Sequence, residues 1–393
     1  MEYNFDEQVD RENTACSKYD LRSEVFGKKD VIPMWVADLD FKTPSFILDA
    51  IRKRLDHEIL GYSFRTDSFY ESIVNWLKRR QGWNVRKEWI AFSPGIVPAL
   101  NMAVMAFTEP GDKIIIQKPV YFPFFPAVES HNRVLVNNPL RYERGRYEMD
   151  FEDLLQKIDS RVKMIMLCSP HNPTGNVWKH KDLERLTDIC LKNRILILSD
   201  EIHSDLIYKG SKHIPTASLS PEVSDITFTC IAPSKTFNLA GLSTSAVITS
   251  NKTLKEKYDR ILEDIHLGGG NLFGFIALEA AYNKGEKWLD ALMDYLQDNL
   301  NYLVRYLNEN IPLIKPVIPE ATYMVWLDCH ELGLDDKELK KFMIHEAGLG
   351  LSEGIIFGIE GSGFQRMNIG CPKAMLANAL HRLKNAVVQR FAE

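Results

Sequence analysis

Residues 231–241, IAPSKTFNLAG, determine how the rest of this sequence is interpreted. They follow residues 225–230, DITFTC, a run of β-branched and aromatic side chains that is typical of a buried strand. Lys235 therefore stands just beyond the carboxyl end of a strand, which is where open α/β sheets bind their ligands. A lysine that packed backbone shields from water has a lowered pKa and forms Schiff bases with aldehydes. Taken alone, however, a lysine after a strand is more often a solvated charge.

Two other predicted strands end in polar residues that suit the same chemistry. The apolar run 194–199 leads into Asp200, and the run 162–168 leads into residues 169–175, SPHNPTG, which include Asn172. Three strand ends therefore present Asn172, Asp200 and Lys235. These are the polar groups that pyridoxal phosphate (PLP), an aldehyde cofactor, requires. We therefore expect PLP to be the cofactor.

Length, composition and charge exclude several classes of protein. At 393 residues the chain is long enough for roughly two or three domains of about 150 residues. A net charge of -5 gives no basic field for nucleic acid or an anionic membrane, so neither partner is expected. The N-terminus lacks a signal-peptide pattern, and no run approaches the length of a membrane span. The six cysteines show no zinc spacing and suit a reducing compartment, so we expect a cytoplasmic protein.

The order of the predicted elements indicates an α/β protein. Strand runs at 113–117, 133–136, 162–168, 195–199 and 226–231 alternate with helical runs, which favours a mostly parallel sheet covered on both faces. Neither a dinucleotide-binding glycine motif nor a P-loop is present. A leucine stripe from Leu289 to Leu307 predicts a long helix that joins two domains. We expect a large cofactor-binding domain at residues 46–284 and a smaller α/β domain from residues 1–45 and 285–393.

Two further segments have both a structural and a functional interpretation. Residues 93–100, SPGIVPAL, open a helix whose free N–H groups would bind a phosphate, although such a start is more often only a turn. Residues 31–41, VIPMWVADLDF, predict either a strand packed on a neighbouring domain or a segment of a substrate pocket, and these interpretations are compatible.

At this point the motifs resemble a known family. Residues 35–41, 93–98, 169–175, 199–203, 232–241 and 364–372 resemble the PLP enzymes with the aspartate aminotransferase fold, the class I/II aminotransferases of fold type I. Within that fold, the WVAD run and residues 200–203, DEIH, resemble the MalY/PatB-type cystathionine β-lyases. The resemblance extends over nearly the whole chain.

The resemblance implies a role for each polar residue near the strand ends. Lys235 would hold PLP covalently and later remove the Cα proton of the substrate. Asp200 would pair with the pyridine nitrogen and keep it protonated. Asn172 would donate to the phenolic oxygen, His203 falls where aminotransferases usually have a tyrosine serving that oxygen, and Tyr121 would stack on the ring.

The same resemblance implies how phosphate and substrate are bound. The backbone of Gly95 and Ile96, together with Ser234, would hold the phosphate, with help from Tyr62 of the other subunit of a homodimer. Arg366 would bind the substrate carboxylate through its planar guanidinium. Aminotransferases commonly have a phosphate-binding arginine eight residues after the lysine, and here that position is Ser243. This change favours the lyase branch and leaves the countercharge of the phosphate unidentified.

Three functions are therefore open at this stage. The first is a carbon–sulfur β-lyase that cleaves L-cystathionine or related cysteine conjugates into a thiol, pyruvate and ammonia. The second is an amino-acid aminotransferase, which shares the first chemical steps. The third is a PLP-binding regulatory protein that contacts a transcription factor, although no appended DNA-binding domain is visible.

Overall fold

The computed structural model describes residues 3–391. Its strands are β1 Ile32–Pro33, β2 Ile90–Ser93, β3 Lys113–Ile116, β4 Val134–Asn137, β5 Arg141–Glu143, β6 Arg146–Glu148, β7 Val162–Cys168, β8 Leu196–Asp200, β9 Thr227–Ile231, β10 Ser245–Ile248, β11 Lys315–Val317, β12 Met324–Asp328, β13 Leu349–Gly350, β14 Ser352–Glu353 and β15 Phe364–Asn368. Its α-helices are α1 Ser17–Asp20, α2 Arg22–Phe26, α3 Ser45–Leu55, α4 Asp67–Gln81, α5 Ile96–Phe107, α6 Phe124–Glu129, α7 Phe151–Lys157, α8 His180–Asn193, α9 Pro221–Asp225, α10 Pro233–Thr236, α11 Lys252–Asp264, α12 Leu272–Lys284, α13 Glu286–Asn310, α14 Asp336–Lys341 and α15 Lys373–Phe391.

The larger sheet has seven strands in the order β2-β10-β9-β8-β7-β3-β4. Strands β9, β8, β7, β3 and β4 pair in parallel, whereas β10 is antiparallel to both of its neighbours. The predicted α/β class with a mostly parallel sheet is therefore confirmed. Because β7, β8 and β9 are adjacent and parallel, their carboxyl ends lie side by side.

Both faces of this sheet are buried, as the continuous apolar strand runs require. Along β7 the side chains alternate between two hydrophobic clusters, because successive residues of a strand point to opposite faces. Met164 and Met166 contribute to one cluster, and Ile165 and Leu167 contribute to the other. Helix α8 packs against the second cluster through buried Leu183 and Leu186.

A smaller antiparallel sheet has the strand order β11-β12-β15-β14. Helix α13 precedes it in the chain and carries the predicted leucine stripe, which is buried. The N-terminal segment joins this region, because β1 pairs in parallel with β13. This distribution supports the predicted division, which we retain as a proposal: a large domain at 46–284 and a smaller domain from 1–45 and 285–393.

The structure corrects several predicted boundaries. Arg194 was expected at the start of a strand but caps α8 with φ 56°, and β8 begins at Leu196. Asp225 ends α9 instead of opening β9. In residues 31–41 only Ile32 and Pro33 form a strand, so most of that segment is irregular. Within residues 3–391, no helix combines the length and apolar character needed to cross a bilayer.

Candidate active site

Three adjacent strand ends build the floor of a cavity, as the order of the motifs predicted. Strand β8 ends at Asp200, which lies opposite Cys168 of β7 and Cys230 of β9. The chain leaving β7 carries Asn172, and helix α10, which follows β9, carries Lys235. Asn172, Asp200 and Lys235 all line one cavity of about 210 Å³.

The amine of Lys235 lies in an environment that disfavours its charge. Burial, followed by the nearby positive charge of Arg366, lowers the pKa of Lys235 to about 8. The negative charges of Asp38 and Asp200 partly oppose this shift. Its Nζ donates a hydrogen bond of 2.7 Å to the backbone carbonyl of Ala37, and the side chain stays partly accessible from the cavity. A neutral amine that reaches a cavity is suited to attack an aldehyde.

Asp200 is almost fully buried and faces the same cavity. Burial raises its pKa to about 7, although the backbone N–H of Ile202, which donates to Oδ1 at 3.1 Å, and the charge of Lys235 lower it. A cationic partner would stabilise the ionised carboxylate of Asp200, because ionisation is costly in apolar surroundings. A protonated pyridine nitrogen is such a partner.

The N-terminus of helix α5 also lines the cavity. Gly95 is the N-cap, Ile96 is the first helical residue, and both line the cavity. The hydroxyl of Ser93 donates to the carbonyl of Gly95 at 2.7 Å and fixes this turn. The free N–H groups and the dipole of the helix start favour an anion. Ser234, Ser243 and Thr244 add hydroxyl groups to the same cavity.

Arg366 lies beside the cavity on β15 and is 4% exposed. Its Nη1 donates to Oδ1 of Asn172 at 2.9 Å, and its Nη2 donates to the carbonyl of Trp35 at 2.9 Å and to Ser352. All of these acceptors are neutral, and Nε has no partner within residues 3–391. Burial lowers the pKa of Arg366 to about 10, because its charge is not compensated by a carboxylate. The site therefore holds a buried cation that an anionic ligand would neutralise.

His203 and Tyr121 complete the wall of the cavity. Burial lowers the pKa of His203 to about 3, with further lowering by the charges of Lys235 and Arg366, so the ring is neutral. Its Nδ1 has no hydrogen-bond partner in the described part of the chain. Burial also raises the pKa of Tyr121, which keeps its phenol protonated.

The structure brings most of the predicted site residues together. Eight of them line the cavity: Gly95, Ile96, Tyr121, Asn172, Asp200, His203, Ser234 and Lys235. Arg366 reaches the site through its contact with Asn172 rather than by lining the cavity. Tyr62 is fully exposed and does not line the cavity of its own chain, so its role in a second subunit stays a prediction.

Several neighbours of the site were not named as site residues from the sequence. Cys168 lines the cavity directly before the predicted motif at 169–175, so its position at a strand end was a usable signal. Ala37 belongs to the segment that was considered as part of a pocket. Tyr323 donates to the carbonyl of Ala37. Residues 322–327, TYMVWL, have the pattern of a buried strand, so Tyr323 could not be distinguished from a core residue by sequence.

The family model for aminotransferase class I and II matches residues 29–383. The chain belongs to this family. It is 45% identical over 385 residues to cystathionine beta-lyase PatB of Bacillus subtilis, which covers 98% of this chain and 100% of the relative. It is 32% identical to Protein MalY of Escherichia coli, over 98% of this chain and 99% of that protein. The predicted resemblance is thereby confirmed.

A solved structure has the same architecture. The PLP-bound putative aminotransferase from Clostridium difficile 630 superimposes with a TM-score of 0.97 and 46% sequence identity. The match covers 98% of this chain and 100% of that one. The fold class predicted from the sequence, the PLP-dependent transferase fold, is therefore confirmed over nearly the whole chain.

Proposed function

We propose that this protein is a PLP-dependent carbon–sulfur β-lyase that cleaves L-cystathionine or related cysteine conjugates into a thiol, pyruvate and ammonia. The observation that carries the proposal is the position of Lys235, whose pKa is lowered to about 8, in one cavity with Asp200. The name of the relative PatB supports the lyase assignment, and the PLP-bound structure from Clostridium difficile supports the cofactor.

The residues of the cavity fit PLP at its phosphate end. The N-terminal backbone of α5 at Gly95 and Ile96 and the hydroxyl of Ser234 would bind the phosphate. A side chain at position 95 would crowd this turn, because a Cβ atom there would lie 3.3 Å from Cδ of Pro98. Lys235 is the one cation among the described residues that line the cavity, so the phosphate would rely on the helix dipole and hydroxyl donors.

The residues also fit the ring of the cofactor. Asp200 would accept from the protonated pyridine nitrogen, and Asn172 and neutral His203 would serve the phenolic oxygen. Tyr121 offers an aromatic face beside the ring. The unpartnered Nδ1 of His203 and Nε of Arg366 show that polar groups here are not fully satisfied by the protein itself.

Each residue then has a defined part in the reaction. When bound, PLP supplies an electron sink for the electron pair that remains on Cα after deprotonation. Lys235 removes the Cα proton, because its low pKa leaves much of the free amine neutral near pH 8. Asp200 keeps the proton on the pyridine nitrogen. Arg366, held by Asn172 and the Trp35 carbonyl, binds the α-carboxylate and orients the Cα–H bond toward Lys235.

An aminotransferase is the second candidate, and the name of the matching family favours it. The two reactions share proton removal at Cα and differ in whether a thiol leaves from Cβ. The test is incubation of the PLP-loaded protein with L-cystathionine in the absence of any oxo acid. Equimolar pyruvate and thiol over many turnovers would support the lyase. Amino-group transfer to an added oxo acid without pyruvate release would instead establish the aminotransferase.

We also propose that the protein is a homodimer in which each subunit completes the site of the other. Segment 57–66 has no regular structure before α4 and exposes Ile59 at 68%, Leu60 at 60% and Phe64 at 79%. Neighbouring apolar side chains exposed to this degree are typical of protein–protein interfaces. Tyr62 lies within this segment, where a second subunit would bring it to the partner's phosphate site.

Mixed subunits provide the test of shared sites. Variants Lys235→Ala and Tyr62→Ala would each be impaired, and subunits of the two variants would then be mixed and allowed to exchange. A heterodimer keeps one site with both residues intact if Tyr62 acts across the interface, so activity should partly return. Activity that stays at the level of the separate variants, or a monomer in sedimentation, would contradict the proposal.

We also propose that the protein is cytoplasmic. All six cysteines lie within residues 3–391, and all are free thiols. Five of them are buried, as expected for packing residues in a reducing compartment.

A further inference from the structure

The backbone carbonyl of Ala37 accepts hydrogen bonds from two side chains. Lys235 Nζ donates to it at 2.7 Å, and the hydroxyl of Tyr323 donates to it at 3.0 Å. Ala37 also lines the cavity. In the described part of the chain, this carbonyl is the hydrogen-bond acceptor of the Lys235 amine. The direction of this one carbonyl therefore determines where the amine lies.

Ala37 belongs to an irregular segment, residues 34–40, which we call the strap. Its backbone is held by side chains of the smaller sheet. Asn368 Nδ2 donates to the carbonyl of Val36 at 2.7 Å and to that of Asp38 at 2.6 Å, on both sides of Ala37. Arg366 and Ser352 donate to the carbonyl of Trp35. Every peptide next to Ala37 is thus fixed by a buried donor.

Tyr323 is itself held rigidly. Its side chain is fully buried, and its carbonyl accepts from the backbone N–H of Ile369 at 2.8 Å. Gly370 packs on the ring so closely that a Cβ atom there would lie 3.3 Å from Cγ of Tyr323. Because the ring is buried and closely packed, its hydroxyl is a well-placed donor to the Ala37 carbonyl.

We propose that Tyr323 is a positioning residue for Lys235 and acts through the carbonyl of Ala37. The carbonyl accepts from the protonated amine, so it stabilises the ammonium that Lys235 becomes when it takes the Cα proton. The strap thereby determines both the position and the pKa of the Lys235 amine. This role in catalysis rests on the function proposed above, whereas the contact itself can be tested without turnover.

Three charged side chains near Lys235 affect its pKa in opposite directions. The positive charge of Arg366 lowers the pKa of Lys235, and the negative charges of Asp38 and Asp200 raise it. Tyr121, Cys168 and His203 also line the cavity. Burial raises the pKa of Tyr121 and of Cys168 and lowers the pKa of His203 to about 3, so all three side chains are neutral near pH 8. None of these charges is altered when the hydroxyl of Tyr323 is removed. A shift in the Lys235 titration in Tyr323→Phe therefore reports on the Ala37 contact.

The first measurement is the capture of PLP by the cofactor-free protein at a series of pH values. The absorbance of the Schiff base monitors the capture. In Tyr323→Phe the Ala37 carbonyl loses one of its two side-chain donors, while Asn368 still holds the carbonyls of Val36 and Asp38. The contact of the Ala37 carbonyl with the Lys235 ammonium should then be less well oriented and weaker. The apparent pKa of Lys235 should then fall by about half a unit to one unit, the equivalent of one hydrogen bond. Tyr208→Phe is the matched control, since that buried hydroxyl has no partner within residues 3–391. An unchanged or raised pKa in Tyr323→Phe would overturn the proposal.

The second measurement is exchange of the Cα proton of L-alanine, which has no leaving group, with deuterated solvent. We expect Tyr323→Phe to lower the maximal exchange rate by about 2- to 12-fold, which corresponds to the free energy of one hydrogen bond. The concentration of L-alanine that gives half of the maximal rate should change little. A purely structural role would lower the unfolding midpoint and leave exchange per folded molecule intact. If the parent protein captures PLP but releases no pyruvate from L-cystathionine, the proposed function fails, while the pH of capture still decides the role of Tyr323.

Discussion

Two buried cations of this protein lie in opposite environments. Lys18 is 1% exposed, and its Nζ lies 2.5 Å from a carboxylate oxygen of Asp40, which also pairs with Arg11. Arg366 is buried to a similar degree but donates to neutral acceptors, including Asn172. The first cation is neutralised within the chain, and the second is not. We propose that the difference separates a structural charge from one that binds a ligand.

The pKa values of cations in the two environments differ in the same way. Burial works against the charge of Arg11, but the carboxylates of Asp38 and Asp40 raise its pKa above the ordinary value. Around the cavity, burial lowers the pKa of both Lys235 and Arg366. Uncompensated burial destabilises a folded chain, so such cations persist where binding or catalysis requires them.

The largest expected effect is that of Lys235→Ala. Removal of the amine eliminates both the covalent attachment of PLP and the base for the Cα proton, so kcat should fall by about 10³-fold or more. The measurement is pyruvate release together with the Schiff-base absorbance. Lys192→Ala, which removes an exposed lysine from α8, is the control and should behave as the parent. Substantial pyruvate release by the Lys235 variant would contradict the assignment.

A second expectation concerns the pH at which Lys235 reacts. Only the neutral amine attacks an aldehyde, and the ordinary lysine pKa of 10.5 is lowered to about 8 at this position. The rate of PLP capture by the cofactor-free protein should therefore rise with pH and reach half its maximum near pH 8. Stopped-flow absorbance at a series of pH values measures it. A midpoint near 10.5 would show that the amine is solvated rather than enclosed.

The third prediction applies to the compensated cation. Lys18→Met leaves Asp40 with Arg11 as its remaining partner and should lower the free energy of unfolding by about 2–3 kcal/mol, somewhat less than the loss of a sole partner. Chemical denaturation measures this change. Lys18 does not line the cavity, but it pairs with Asp38 and Asp40 of the strap, so kcat/KM per folded molecule should fall, though by less than in Arg366→Met. Unchanged stability would mean that the pair contributes nothing to the fold.

Much of this arrangement could be predicted because it depends on local sequence. Asn172, Asp200 and Lys235 each follow an apolar strand run, and parallel strands place their carboxyl ends together. The contact of Lys235 with Ala37 joins residues 198 positions apart, and that of Tyr323 with Ala37 joins residues 286 positions apart. No periodicity encodes such contacts, because they depend on how the strap lies across two sheets. The site was therefore predictable where strands end, and not where separate segments meet.

Arg366→Met is expected to have the smallest effect on stability. It is the sharpest test of the comparison because it is the counterpart of Lys18→Met. The substitution removes the proposed partner of the substrate carboxylate, so kcat/KM should fall by about 10- to 100-fold, the range for hydrogen bonds to a charged group. Stability should change by no more than about 1 kcal/mol, since relief of an uncompensated buried charge offsets the lost hydrogen bonds. Denaturation and steady-state kinetics on both variants measure the contrast. If Arg366→Met unfolded as readily as Lys18→Met, the guanidinium would be structural, and the absence of a carboxylate partner would not mark a ligand site.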